Sequence, residues 1–228
     1  MDKQQTFGEQ QLAAAEKFVA GLIRYVPDEE GTGRRGNRAA LAALRRALGK
    51  PIGETLDAFP YVIPLLPQGL HPWDEQCHYL VASLFALYPD PEPWTSARRP
   101  SLGLTMRLMA RKRSDERSSN TEAPDEPKSS GGALDPAVER RFVALLNASG
   151  DGFATHLRYA VTLLKSHDQR IDWAQLLCDA RGWQYPDRGV QRAWARDFWA
   201  SGAHDAKPAG DRDGDDATGA GDRDDSGE

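Results

Sequence analysis

The residues with the clearest chemical potential are the arginines and lysines between residues 31 and 50. This stretch, GTGRRGNRAALAALRRALGK, contains six Lys and Arg and no Asp or Glu. Guanidinium and ammonium groups bind phosphates through charge-assisted hydrogen bonds, so an acid-free cluster favours contact with a polyanion. At 100° per residue, the apolar and basic residues fall on opposite sides of a helix. The apolar side holds Leu41, Leu44 and Leu48, and the basic side holds Arg38, Arg45 and Arg46, with Arg34 and Arg35 just before it. The alternative is a solvated helix face that has no partner.

Further basic residues lie on the outer faces of other predicted helices. Arg107, Arg111 and Lys112 occur in MRLMARKR, and Arg140 points away from the apolar face of its helix. Arg158 and Lys165 are seven residues apart, on a helix whose other side is apolar. No zinc-finger spacing, RNP aromatic motif or basic zipper accompanies them, so we expect non-specific DNA binding through backbone phosphates.

The glycines at the start of the same stretch suggest a different chemistry. Gly31, Gly33 and Gly36 match a GxGxxG turn, and Asp57 follows at the distance of a ribose-binding acid. Such a turn requires a buried strand before it. Here the preceding residues have helical periodicity, and PDEE adds three negative charges that repel phosphate. A glycine-rich loop is the favoured interpretation, and a nucleotide-using enzyme remains an alternative.

Catalytic and metal-binding patterns are weak. His71, Cys77, His78 and Cys178 are the available soft ligands, but their spacing matches no usual zinc site. The sequence contains no GxSxG, P-loop or HExxH motif. We therefore predict no cofactor, no metal, two buried free thiols and a binding protein rather than an enzyme.

Charge is distributed unevenly along the 228 residues, whose net charge is −5. Residues 201–228 hold nine acids and three bases, and residues 114–133 hold five acids and two bases. Both segments are rich in Gly, Pro, Ser and acids and poor in aromatics, which is typical of disorder. We predict a flexible linker at 114–133 and a disordered acidic tail at 201–228. The rest of the chain is then net basic.

Helical periodicity dominates the remaining sequence, which predicts an all-α fold of two small bundles. The expected domains are residues 1–113 and 134–200. Asn37, Asp135 and Asp172 are predicted N-caps, the last with Gln175 in a capping box, and Gly49 is a predicted helix stop. The segment YVIPLLP at 61–67 is expected to be an extended connector because of its prolines. With no signal peptide and no membrane-spanning run, we expect a cytoplasmic protein.

Most aromatic residues match core positions. Val190, Trp194 and Phe198 recur every four residues, which favours burial over base stacking. Trp199 falls on the opposite side of that helix and is a candidate for a subunit interface, or else for base stacking.

Several short motifs, in this order, resemble the CasB family, the small subunit of the type I-E CRISPR surveillance complex Cascade. They are LAALRRALG, SLG at 101–103, ERRFVALLNAS, HLRYAVTLL, IDWAQLLCDARGW and WARDFW. The resemblance spans roughly residues 10 to 200 and leaves the acidic tail unmatched. The 114–133 segment also departs from the family pattern.

The resemblance implies an all-helical, non-catalytic subunit that stacks head to tail with a second copy. Its partners would be the crRNA-bound backbone subunits and the large subunit, and its basic surface would hold the R-loop. By motif position it assigns nucleic-acid contacts to Arg45, Arg46, Arg140, Arg141 and Arg158. A helical adaptor that binds only protein, with its arginines pairing to acidic partners, is the remaining alternative.

Overall fold

The computed structural model describes residues 2–27, 36–50, 54–96, 99–120 and 134–200. The α-helices in these ranges are α1 Asp2–Ile23, α2 Arg38–Ala47, α3 Phe59–Val62, α4 Pro72–Leu87, α5 Leu102–Asn120, α6 Pro136–Asn147, α7 Asp151–Lys165, α8 Trp173–Arg181 and α9 Gly189–Trp199. The described ranges contain no strand, and the all-α prediction is confirmed. None of their helices combines the length and the apolar character that a bilayer span requires.

The predicted N-caps are confirmed by their hydrogen bonds. Asn37 Oδ1 accepts from the backbone N–H of Ala40 at 2.9 Å, and Asp135 Oδ1 accepts from that of Ala137 at 2.7 Å. Asp172 caps α8 by accepting two backbone N–H groups, those of residues 174 and 175. The predicted capping box is only half formed, because the Gln175 amide donates to Asp179 instead.

The structure of residues 61–67 differs from the predicted one. Instead of an extended connector, the chain forms a 3₁₀ turn at Leu56–Ala58, the single turn of α3, and a second 3₁₀ turn at Ile63–Leu65. Pro60 and Pro64 stand in the first turn of their segments. Proline is tolerated there because the first N–H groups of a helix have no intrahelical acceptor.

The hydrophobic core runs through both predicted domains. α1 and α4 pack on α8, while α5 packs on α9 and α6. The α5–α9 crossing is close enough that a Cβ at Gly103 would lie 2.4 Å from the Trp194 carbonyl oxygen, so only glycine fits. α5 extends to Asn120, seven residues into the predicted linker. The rest of that linker and the acidic tail lie outside the described residues, and the division into two bundles stays a prediction.

Candidate nucleic-acid interface

Two predicted contact residues from opposite halves of the chain meet at the end of α4. Arg45 Nε, on α2, donates to the Ala86 carbonyl at 2.5 Å, and Lys165 Nζ, on α7, donates to the Leu87 carbonyl at 2.9 Å. Carbonyl groups at a helix C-terminus carry partial negative charge and attract cations, which explains why both side chains settle there. A guanidinium has five N–H donors and an ammonium three, so each residue keeps donors for a phosphate. Both residues remain exposed.

Arg158 extends this cluster. It is exposed on α7, and its Nη1 lies 3.6 Å from the position of a Cβ at Gly49, just past the end of α2. Gly49 has φ +83°, which ends α2 as predicted and leaves no side chain at this point. We call Arg45, Arg158 and Lys165 the junction patch. Within the described ranges, no carboxylate forms an ion pair with any of the three.

A second basic surface lies on the other flank of α7. Arg140 and Arg141 of α6 line a shallow cavity of about 400 Å³ together with His156 and Tyr159 of α7. Arg140 Nε donates to the Pro136 carbonyl at 3.3 Å, and Arg141 is exposed. Tyr159 is 56% exposed, and its ring stands edge to face with His156 at 6.2 Å. We call these four residues the groove patch.

His156 and Tyr159 were not among the predicted contacts. The signal for Tyr159 was present, because it lies off the apolar face formed by Phe153, Leu157 and Leu164. The 100° rotation per residue also separates Arg158 and Lys165 from His156 and Tyr159, so one helix serves two different surfaces.

Three of the other predicted contacts, Arg38, Arg46 and Lys112, are exposed at other positions on the described surface. Arg38 and Lys112 are exposed on α2 and α5. Arg46 is exposed, and its guanidinium lies 3.6 Å from the Asp57 carboxylate, itself exposed. Arg34 and Arg35 lie outside the described residues, as do Gly31 and Gly33.

The structure corrects the prediction that Arg107 contacts a nucleic acid. This residue is 1% exposed, so it is buried between α5 and the helices packed on it and is unavailable to a nucleic acid in this conformation. α5 packs against α6, α7 and α9, so a wide part of its circumference is buried. Arg107, Met106 and Met109 lie in this buried part. Arg111 is half-buried, with its Nε enclosed. The i, i+4 spacing of the two arginines placed them on one face but could not show that other helices cover it.

Trp199 is 41% exposed, and part of its surface is already used within the chain. Its Nε1 donates to Glu139 at 2.9 Å, and its ring packs against Phe142 and Phe198. Trp194 and Phe198 are buried, as their spacing predicted.

Among the described residues, those considered for a metal site do not form one. Within the described part of the chain, no three His, Cys, Asp or Glu residues are grouped as metal ligands would be. Burial raises the pKa of the Cys178 thiol to about 11 and also raises that of Cys77, while burial lowers the pKa of His78. Neutral thiols are poor ligands and poor nucleophiles, so these groups act as core residues.

The dinucleotide alternative lacks its structural context. The chain enters the glycine stretch from α1 rather than from a strand. Gly36, the one glycine of the motif that is described, has φ +59° and lies so close to Pro27 that a Cβ would be 2.4 Å from its nitrogen. This glycine therefore serves a tight backbone approach after α1.

Comparison with known proteins decides the family. A sequence profile of the CRISPR-associated protein Cse2 family matches residues 40–199. The CRISPR-associated protein Cse2 of Thermus thermophilus is 36% identical over 193 residues, covering 84% of this chain and 94% of the relative. This chain belongs to the Cse2 family.

Solved Cse2-like structures agree with this assignment. The crystal structure of CasB from Thermus thermophilus has a TM-score of 0.58 and 33% identity, covering 81% of this chain and 97% of that one. A chain of a CRISPR RNA-guided surveillance complex has a TM-score of 0.55 and 27% identity, covering 83% and 91%. The resemblance to CasB drawn from the motifs is confirmed. The family profile covers most of α2 and all of α3 through α9, and therefore both basic patches.

Proposed function

We propose that this chain is a non-catalytic, nucleic-acid-binding subunit of a CRISPR RNA-guided surveillance complex that stabilises the R-loop through backbone phosphates. Membership in the Cse2 family and likeness to a chain of such a complex support the assembly. Its partners would be DNA, the crRNA-bound backbone subunits, the large subunit and a second copy of itself. R-loop formation exchanges one duplex for another of similar stability, so a few phosphate contacts decide whether the loop persists.

The observation that carries the proposal is the junction patch. Three cations from α2 and α7 are distant in sequence but lie close together: Arg45 and Lys165 at the C-terminus of α4, and Arg158 beside Gly49. Among the described residues, no carboxylate pairs with them. Intramolecular ion pairs would satisfy the same side chains if their role were structural, as they do for other arginines of this chain. The groove patch adds two further guanidiniums and an exposed aromatic ring, which suit a sugar-phosphate chain and a base face.

The test is the salt dependence of DNA binding by the Arg158→Glu/Lys165→Glu variant. We expect the wild-type chain to bind random-sequence DNA with an affinity that falls steeply with salt. The variant should bind more weakly, and its log K against log salt slope should be shallower by about one for each phosphate that is no longer neutralised. Fluorescence polarisation at several salt concentrations measures both.

The matched control is Arg192→Glu, which reverses an exposed cation paired with the exposed Asp187. It should leave both affinity and slope close to those of wild type, and helical circular dichroism should be unchanged in all variants. Binding that is absent or independent of salt in the wild type would contradict the proposal and favour the protein-only adaptor. Purification from the host with identification of the bound RNA tests the assembly, since a crRNA with its backbone subunits is expected.

A further inference from the structure

A cavity in the described part of the chain lies next to the junction patch. Its volume is about 410 Å³, and it is bounded by the end of α2, one face of α4 and the first turns of α7. Gly49 and Lys50 stand at its edge, and Gly49 is the residue against which Arg158 lies. A strand whose phosphates contact Arg158 therefore passes the opening of this cavity.

The cavity has a rigid aromatic wall. Trp73 is half-buried, and its Nε1 donates to the Arg181 carbonyl at 3.0 Å, which holds the ring in one orientation. Phe153 packs beside it, with the ring centroids 6.4 Å apart, and Tyr79 also lines the space. A wall of this kind supplies surface for a base at little cost in side-chain entropy, because the rings are already ordered.

Two polar side chains that have no hydrogen-bond partner among the described residues line the same cavity. Ser83 is 3% exposed, and its hydroxyl has no hydrogen-bond partner among the described residues. Gln76 lies seven residues earlier on the same face of α4, and its amide likewise has no partner there. A hydroxyl that lines a cavity and has no partner among the described residues can bond to a bound ligand. An amide offers both a donor and an acceptor, which matches the edge of a nucleobase.

We propose that this cavity takes one unstacked base of a single strand whose phosphates lie on the junction patch. The proposal rests on the proposed function, because the phosphate contacts bring the strand to the opening. Trp73 supplies the aromatic surface, Gln76 and Ser83 contact the polar edge of the base, and Lys50 and Arg158 hold the neighbouring phosphates. Recognition through an aromatic wall and adaptable polar groups accepts any base, in keeping with a protein that follows a guide-determined sequence.

The experiment compares an ordinary single-stranded oligonucleotide with one that carries abasic residues and so retains every phosphate. We expect the wild-type chain to bind the abasic strand roughly 5- to 150-fold more weakly, the range for loss of a single stacked base. The salt slope should be the same for both strands, because the phosphate contacts are retained.

A cavity-filling variant tests the location. Ala154 is a half-buried residue of the cavity wall, and Ala154→Phe should reduce binding of the ordinary strand to the level of the abasic one. Ala14→Phe, at a half-buried alanine of α1, is the matched control and should preserve the difference between strands. If Ala154→Phe does not fold by circular dichroism, Gln76→Leu replaces it, since Gln76 is exposed and its loss should reduce the discrimination several-fold.

The outcomes separate this inference from the proposed function. Equal affinity of wild type for both strands, with the salt slope intact, overturns the base site and leaves phosphate binding standing. A persistent strand difference in the filled variant overturns the location. Absence of salt-dependent binding to either strand contradicts the proposed function itself.

Discussion

Arginine has opposite roles in two regions of this molecule. Several arginines cross between the N-terminal and C-terminal halves to reach carboxylates. Three of these pairs are Arg99 to Asp172 at 2.8 Å, Arg113 to Asp135 at 2.9 Å, and Arg181 to Asp74 at 2.8 Å. We call these the seam pairs. In the junction patch, by contrast, Arg45 and Lys165 donate to backbone carbonyls, and Arg158 lies beside a glycine.

The comparison shows that a basic side chain forms an internal ion pair where the other half of the chain places a carboxylate opposite it. The seam carboxylates Asp135 and Asp172 are also the N-caps of α6 and α8, so each holds a helix start and a guanidinium together. Charges removed from water in this way are stable only while both partners remain. The patch cations keep most of their hydration and therefore remain available to an external anion.

The largest effect is expected at the seam, from Asp135→Ala. Burial alone would raise the pKa of Asp135, but the hydrogen bonds from Arg113 and from the Ala137 N–H, with the charge of Arg117, hold it below its usual range. Loss of this carboxylate removes a helix cap and leaves Arg113 without its partner, so we expect a loss of about 3 to 5 kcal/mol. Urea unfolding measures it. The exposed Asp57→Ala should cost under about 1 kcal/mol, and a similar cost for both would contradict the distinction.

The next effect concerns Asp179, a carboxyl of α8 that accepts from Trp194 Nε1 at 2.7 Å and from the Gln175 amide at 2.9 Å. Burial raises its pKa to about 6, so the folded chain holds the proton of Asp179 more tightly than the unfolded chain does. This contribution to stability is complete below about pH 4, the ordinary carboxyl pKa, and is lost as the pH rises through 6.

Asp179→Asn cannot ionise, yet its amide oxygen still accepts from Trp194. The free energy of unfolding of this variant, relative to that of wild type, should therefore increase between pH 4 and pH 7 by up to about 3 kcal/mol. Urea unfolding at each pH, with the exposed Asp187→Asn as control, follows the difference. A stability difference that does not change with pH would show that Asp179 does not titrate in this range.

The smallest effect on stability is expected in the junction patch. Arg45→Gln removes one donor to the Ala86 carbonyl and should cost at most about 1 kcal/mol, while the salt slope of DNA binding falls by about one. The same substitution at Arg99, in the seam, should destabilise the fold measurably and leave the slope unchanged. Thermal unfolding and polarisation titrations on both variants check this, and an exchange of the two outcomes would reverse the assignment of the regions.

Local features of this chain were predictable because they depend on neighbouring residues. Asn37, Asp135 and Asp172 cap helices since a short polar side chain can reach the first free N–H groups. Gly49 ends α2 because glycine readily adopts positive φ. The exposed positions of Arg45, Arg140 and Arg158 followed from helical periodicity in the same way. The short helical turns at residues 56–65 were not predicted, because proline was interpreted as interrupting regular structure. In the structure it occupies the first turn of a helix, where it is tolerated.

What the sequence by itself determined is the set of helices, their caps and the side of each helix that is basic or apolar, because those properties depend on a few neighbouring residues. Only the tertiary structure decided that Arg107 is covered, that Arg99, Arg113 and Arg181 find carboxylates, and that Arg45 and Lys165 meet at the end of α4. Periodicity gives an angle around one helix axis. Burial and pairing depend on which other helices lie at that angle, and packing between distant parts of the chain determines that.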